Sequence, residues 1–404
     1  MPSNYKILVN GQLTDTDDVF ELRENYPLLV DNFPGGPLYA WGSNDRGALG
    51  LNLPSIITGP PPLNIPTTNV ISSPTQIGTS TDWKYVTAGD DFSIAIKTNG
   101  TLWGWGSNNN GQQGNNDTVD RSSPIQIGAD VNWKLGSAAG TTCLVIKTDG
   151  TLWGWGLNTF GQLGQNDTIS RSSPVQIGTD TNWKRVSIAD DTTMVIALKT
   201  NGTIWGWGYN VFGTLGQNDT ISRSSPVQIG TDNDWSFIEV GDISATYAIK
   251  TNGTLWSWGS GNFGQLGHND IISRSSPVQI GADTNWKYIF SNGSRVFVIK
   301  TNGTLWSWGN NGDGELGHND IISKSSPVQV GTSTDWYKGD AKSFPSAAIK
   351  TNGTLWMWGE SNISRQNLQS TDPIIDRSSP VQIGSNTNWK EIVFGDAHAH
   401  ALTY

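Results

Sequence analysis

The chain has 404 residues, a net charge of −10, a pI near 4.8, 20 tryptophans, 48 glycines, four histidines and one cysteine. One cysteine excludes an internal disulfide framework, and the acidic balance argues against binding a phosphate backbone. The chain contains no apolar run of about 18 residues, the length needed to cross a bilayer as a helix.

Residues 1–36 stand outside any repeat. Tyr5 to Val9, Asn10-Gly11 and Gln12 to Thr14 read as a small hairpin, followed by an acidic stretch through Asp15, Asp17, Asp18, Glu21 and Glu24. The basic start and apolar core of a secretory leader are missing, so none is expected. The segment is read as a docking arm, with Tyr5, Ile7, Val9 and Phe20 as its contact residues. It ends in a Pro/Gly exit at Pro34 to Pro37, and residues 37–404 form a second unit.

That unit is a repeat. Trp-Gly recurs at Trp41, Trp105, Trp155, Trp207, Trp258, Trp308 and Trp358, in steps of 64, 50, 52, 51, 50 and 50 residues. A Pro-rich insertion, Leu53 to Val70, accounts for the longer first step and is read as a cover or contact loop. A second series, Trp83, Trp133, Trp183, Trp235, Trp286, Trp336 and Trp389, runs in phase. A period near 50 in a Gly-rich chain of short apolar runs is that of a β-propeller. The fold class is therefore all-β: seven four-stranded blades. Trp41 has no second-series partner before it and Trp389 has no Trp-Gly after it, so one blade is split. Trp389 to Tyr404 should pair with Leu38 to Trp41 and close the ring, leaving no open sheet edge. Each buried indole removes about 150–250 Å² from water, about 4–6 kcal/mol at ~25 cal/mol/Å². Both tryptophan series are read as core.

In the third copy the blade reads as Pro174 to Gly178, Trp183 to Ile188, Thr193 to Lys199 and Thr203 to Trp207. The last two strands are joined by Asn201-Gly202, with counterparts from Asn99-Gly100 to Asn352-Gly353, a pair that signals a type I′ hairpin. The glycines six residues after each Trp-Gly tryptophan, such as Gly161 and Gly213, are read as backbone requirements. The single Cys143 falls in a strand.

The stretch Lys-Thr-Asn-Gly-Thr-Leu-Trp-x-Trp-Gly-x-Asn-x-x-Gly-Gln-Leu-Gly, preceded by Trp-x-x-Val-x-x-Gly, resembles the repeat of the regulator of chromosome condensation family over about nine-tenths of the chain. The resemblance implies the propeller and one of several activities: guanine-nucleotide exchange on a small GTPase, inhibition of a partner enzyme, or plain scaffolding. The chain departs from the family in its acidity and in its mid-blade His, kept as Gly395 with His398 but replaced by Phe92 and Thr142 elsewhere. The uniform blades also carry no inserted wedge. The blade at Trp358 departs too, with Ser364 and Asn367 in place of Gly.

No catalytic or metal site and no cofactor is expected. His268 and His318 share one blade position and read as surface turn residues. The series Asp117, Asp167, Asp219, Asp270, Asp320 and, four residues on, Arg121, Arg171, Arg223, Arg274, Lys324 reads as ion pairs within each blade. Sites in a repeat protein lie where copies differ. Phe160, Phe212 and Phe263, with Tyr209 nearby, form an aromatic arc on three consecutive blades, suited to a glycan or protein or to packing between blades. Asp90, Asp91, Asp190, Asp191, Asp242, Asp340 and Asp396 read as solvated turn residues between a blade's second and third strands, a place for a cation or basic partner. The leading expectation is a non-enzymatic virion component, such as a phage tail, baseplate or fibre protein, docked to virion proteins through residues 1–36 and facing a host-surface glycan or protein. The alternatives are a bacterial or cytoplasmic scaffold or inhibitor and, third, an exchange factor. Nucleic acid and membrane insertion are not expected.

Overall fold

The computed structural model describes residues 7–9, 12–14, 34–53, 70–190, 193–241, 245–342, 345–360 and 377–404. Seven four-stranded antiparallel sheets make a ring. Blade 1 runs Trp83–Ala88, Phe92–Lys97, Leu102–Gly106, Arg121–Gln126, and blade 2 runs Trp133–Ala139, Thr142–Lys147, Leu152–Gly156, Arg171–Gln176. Blades 3 to 6 open with Trp183–Ile188, Trp235–Gly241, Trp286–Asn292 and Trp336–Ala341. Blade 7 is built from Trp389–Phe394, His398–Thr403, Leu38–Ser43 and Val70–Gln76, so the ring closes as the split repeat requires. Buried Ser93 of blade 1 reinforces this closure, with its Oγ 2.7 Å from His400 Nε2 and 3.2 Å from His398 Nε2 in blade 7.

Two readings are corrected. The Pro-containing strand is not the start of a blade but the outermost strand of the preceding one, as Arg171–Gln176 pairs back onto Leu152–Gly156. Period alone cannot place this boundary. The hairpin turn is also not type I′: of each Asn-Gly or Asp-Gly pair only the glycine has positive φ, +78° at Gly100 and +80° at Gly150. Lys97 O accepts from Gly100 N and Lys97 N donates to Thr101 O, which is a type I turn followed by a glycine bulge.

The first strand of every blade is innermost, since these strands contact one another around the channel. A polar side chain at a fixed register accepts an N–H from the next blade: Thr87 from Ala138, Ser137 from Ile188, Ser187 from Val240, Asp340 from Phe394. The motif residues have matching duties in blade 2. Lys147 Nζ sits 4.5 Å and 4.0 Å from the Trp133 and Trp153 ring centres and pairs with Asp130 at 2.6 Å. Asp149 accepts from the Thr151 N–H and hydroxyl, and Thr151 Oγ1 accepts from Trp153 Nε1. Cys143 is a buried strand residue and a free thiol.

In the N-terminal segment Ile7–Val9 pairs antiparallel with Gln12–Thr14, matching the expected hairpin. Tyr5, Phe20, the insertion 54–69, Ser364 and Asn367 lie outside the described residues. Gly36 already belongs to the ring, exchanging backbone hydrogen bonds with Trp83.

Glycines that share the left-handed φ region should therefore differ in their demands. A Cβ on Gly150 (φ +80°) would lie 2.1 Å from the Thr181 carbonyl, whereas one on Gly178 (φ +61°) meets open space. Gly178→Ala should cost about 1–2 kcal/mol from backbone strain alone, and Gly150→Ala more than about 3 kcal/mol, measured by urea unfolding. Equal losses would contradict the assigned packing.

Candidate binding face

Antiparallel order fixes which connections share a face. The turns from first to second strand and the loops from third to outermost strand emerge on one side of the disk, here the loop face. The hairpin turns and the links between blades emerge on the other.

The long loop is braced from within. In blade 2, Asn158 Nδ2 donates to the Asp167 carbonyl and to its Oδ1, Ile169 N donates to the same Oδ1, and Arg171 Nη2 pairs with Asp167 Oδ2 at 2.8 Å. The intrablade ion pairs expected from spacing are present in five blades. Arg121 holds the Asp117 carboxyl down to about 2, as Arg274 does for Asp270. With the backbone fixed in this way, the side chain at Ile169 has nowhere to go but outward and is 63% exposed.

The aromatic arc lies in these loops. Phe160 is 45% exposed, Phe212 41% and Phe263 45%. Phe160 also packs edge-on against Tyr209 of blade 3, ring centres 5.0 Å apart, so this ring both bridges blades and meets solvent. Ile169, Ile221, Ile271 and Ile272 extend the apolar strip along the same loops.

The carboxylates lie nearer the axis. Their turns join the strands expected, which the corrected blade boundary makes the first and second. Asp340 is not in a turn at all: it sits half-buried in the innermost strand of blade 6, with its Oδ2 accepting from Phe394 N at 2.7 Å. Asp191 and Asp242 lie outside the described residues. The others form a belt: Asp396 N donates to Asp90 O, Asp90 N to Gly140 O, and Gly140 N to Asp190 Oδ1. Lys342 of blade 6 reaches across the mouth of the channel, its Nζ 2.7 Å from Asp190 Oδ2 in blade 3 and 3.5 Å from Ala88 O in blade 1. Burial pushes Asp90 up, with Asp190 beside it adding to the shift. Burial also pushes Asp91 up to about 6, aided by Asp45 and Asp396, and Asp340 up to about 7. Deeper in the bore, Arg185 pairs with Glu239 at 2.9 Å and Lys338 with Glu391 at 3.2 Å.

Several of these residues were not singled out by the sequence reading. Lys342 has a recognisable signal, for it stands where five other blades carry Gly89, Ala139, Ala189, Gly241 or Gly395 and blade 5 carries Asn292. His268 and His318 are not plain surface residues. They are half-buried, with Nε2 3.0 Å from Ser257 Oγ and 2.9 Å from Ser307 Oγ, and burial lowers His268 to about 4. The signal was present there as well: these two blades read Trp-Ser-Trp-Gly, while the three before them read Trp-Gly-Trp-Gly with Asn115, Gln165 or Gln217 at the His position. Among the described residues no group of three or more His, Cys, Asp or Glu is placed to hold a metal ion.

The raised carboxyls have a consequence for stability. Asp340 and Asp91 hold protons more tightly folded than unfolded, where the ordinary value is 3.8. From about pH 4 to 7 the contribution of these two carboxyls therefore falls as pH rises, while the lowered His268 contributes in the opposite sense. The test is consequently a difference: the urea midpoint of wild type relative to Asp340→Asn, which keeps an acceptor for Phe394 N, should fall between about pH 5 and about pH 7.5. A relative midpoint that climbs over this interval would contradict the assignment.

Comparison with known proteins places this architecture. The profile of the RCC1-like domain matches residues 28–344. The ultraviolet-B receptor UVR8 of Arabidopsis thaliana is 33% identical over 87 residues, 21% of this chain and 20% of the receptor. The probable E3 ubiquitin-protein ligase HERC4 of Homo sapiens is 33% identical over 85 residues, 20% of this chain and 8% of the ligase. The chain thus spans a fifth or less of the length of these relatives. In three dimensions Prp20p from Saccharomyces cerevisiae superposes with a TM-score of 0.76 at 18% identity, covering 92% of each chain. Human WBSCR16 superposes with a TM-score of 0.76 at 18% identity, covering 91% of this chain and 98% of its own. At that identity the likeness is one of fold. With the profile matched over most of its length and the seven-bladed ring formed, the chain belongs to the RCC1-like domain family.

Proposed function

We propose that the propeller is a non-enzymatic interaction module that docks a protein partner on its loop face. The observation that carries this reading is the exposed arc of Phe160, Phe212 and Phe263 on three adjacent blades, on the same side of the disk as the carboxylates at the channel mouth. Apolar rings held by braced loops lose little freedom on binding, which favours their use as anchors. The partner's matching patch would be apolar with basic residues toward the channel axis.

The test is capture of a partner from native source material by wild type, by Phe212→Ser with Phe263→Ser, and by Ala282→Arg on the opposite face. Phe212 is 41% and Phe263 45% exposed, so the double variant should change stability by about 1 kcal/mol per site or less. It should lose at least about tenfold in partner recovery, while Ala282→Arg should not. Loss with Ala282→Arg alone would move the function to the hairpin face and overturn the proposal.

The finer form of the proposal is a virion component docked through residues 1–36. Its support is a paired hairpin, Ile7–Val9 with Gln12–Thr14, outside the seven blades, joined to an acidic propeller with an exposed apolar arc. Purified particles of the source virus should contain the protein, and their lacking it would refute this form. A stoichiometric soluble partner would favour a scaffold or inhibitor instead, and accelerated release of labelled GDP from a GTPase would favour exchange.

A further inference from the structure

The geometry points to a saccharide-binding site in the outer wall of the disk, between the outermost strands of blades 1 and 2 and separate from the loop face. A cleft of about 500 Å³ lies there, with Asn115, Arg121, Ile125, Gln126, Trp153 and Pro174 among its walls. That volume is in the ordinary range for a small-molecule site, about 300–1,000 Å³.

The cleft arises from one departure among the repeats. At the position of Asn115 the next four blades carry Gln165, Gln217, His268 and His318, and each is tied down within its own blade. Gln165 Nε2 donates to Gln176 O at 2.9 Å and Gln217 Nε2 to Gln228 O at 3.1 Å, while the two histidines bond the Ser257 and Ser307 hydroxyls. Asn115 is one methylene shorter than Gln, and its Nδ2 is buried without a hydrogen-bond partner. The outermost strand beside it is correspondingly uncovered: Ile125 is 41% exposed and Gln126 is exposed, whereas Val175 and Gln176 of blade 2 are half-buried.

The chemistry of the walls selects the ligand. Charges at the cleft are already matched, Arg121 by Asp117 at 2.7 Å and Asp130 by Lys147 at 2.6 Å. What remains is neutral: the amides of Asn115, Asn116 and Gln126, the Ser173 hydroxyl, the partly exposed Trp153 indole, Ile125 and the Pro174 ring. A buried donor left unpaired costs about 1–3 kcal/mol, so a ligand that offers it an acceptor recovers that loss. A pyranose ring supplies hydroxyls that accept from Asn115 and exchange hydrogen bonds with Gln126, and its C–H face suits Trp153 and Pro174.

The experiment is saturation-transfer NMR on the full chain with methyl β-glucoside, methyl α-mannoside and methyl β-N-acetylglucosaminide, together with a proline-rich peptide. At least one glycoside should bind wild type. Asn115→Gln, long enough to reach the Gln126 carbonyl as Gln165 reaches that of Gln176, should weaken binding at least about tenfold with a thermal midpoint that rises or holds and does not fall. Ile125→Glu, at an exposed position, should obstruct the same cleft without touching Asn115, and so tests the site even if Asn115→Gln is unstable. The proposal is overturned if no glycoside binds, if both variants bind like wild type, or if the peptide binds and the glycosides do not.

Discussion

The ring depends on one recurring contact between successive blades: the indole N–H of six of the seven Trp-Gly tryptophans donates to a loop carbonyl of the blade before, and the loop that would face the seventh, Trp41, falls in residues 361–376, outside the described residues. Trp105 bonds Ala48 O, Trp155 Gln112 O, Trp207 Gln162 O, Trp258 Thr214 O, Trp308 Gln265 O and Trp358 Glu315 O, at 2.7–2.9 Å. The indole is wholly or almost wholly buried at each place. Two residues after the acceptor stands a glycine, because a side chain there would meet the indole: a Cβ on Gly164 would lie 3.0 Å from Trp207 Nε1. Tryptophan, carbonyl and glycine thus form one lock, and second-series tryptophans such as Trp183 pack edge-on against the locked ring, centres 6.1 Å apart. The lock works with the hydrogen bonds between first strands, such as Ala138 N to Thr87 Oγ1, in setting the angle between neighbouring blades.

A scaffold held by repeated internal contacts leaves the positions outside those contacts free to differ, and the candidate sites lie there. The loop holding Ile169 is fixed by Asn158, Asp167 and Arg171, none of which touches the outer surface of the arc, so Phe160 and its counterparts can change without loss of the fold. The same separation holds at the channel mouth, where Lys342 occupies a position that is Gly or Ala in five other blades and turns it into a bridge between blades 6, 3 and 1. It holds again at Asn115, where a side chain one methylene shorter opens a cleft that Gln165 closes in blade 2.

What was legible in the sequence was whatever recurs. Seven Trp-Gly steps and the unmatched tryptophan at each end specify the ring and its closure, and the Asp and Arg four residues apart specify the intrablade pairs. The blade boundary was not legible, because a repeat can be cut at any strand and only hydrogen bonding shows that Arg171–Gln176 belongs with Leu152–Gly156. The turn type was misjudged because Asn-Gly serves both a two-residue turn and a type I turn with a bulge, and strand register decides between them. Lys342, the Ser257–His268 pair and Asn115 were missed for a different reason: each is a departure in one or two copies, whose meaning depends on which side chain it faces across the blade.

The account is tested most directly by replacing the locked indole with a ring that lacks the N–H. Trp207→Phe leaves the Gln162 carbonyl buried and unpaired and opens space beside Gly164. Urea unfolding should show a loss of at least about 2 kcal/mol. A change within about 0.5 kcal/mol, the range of an ordinary surface substitution, would show that the interblade bond does not hold the ring.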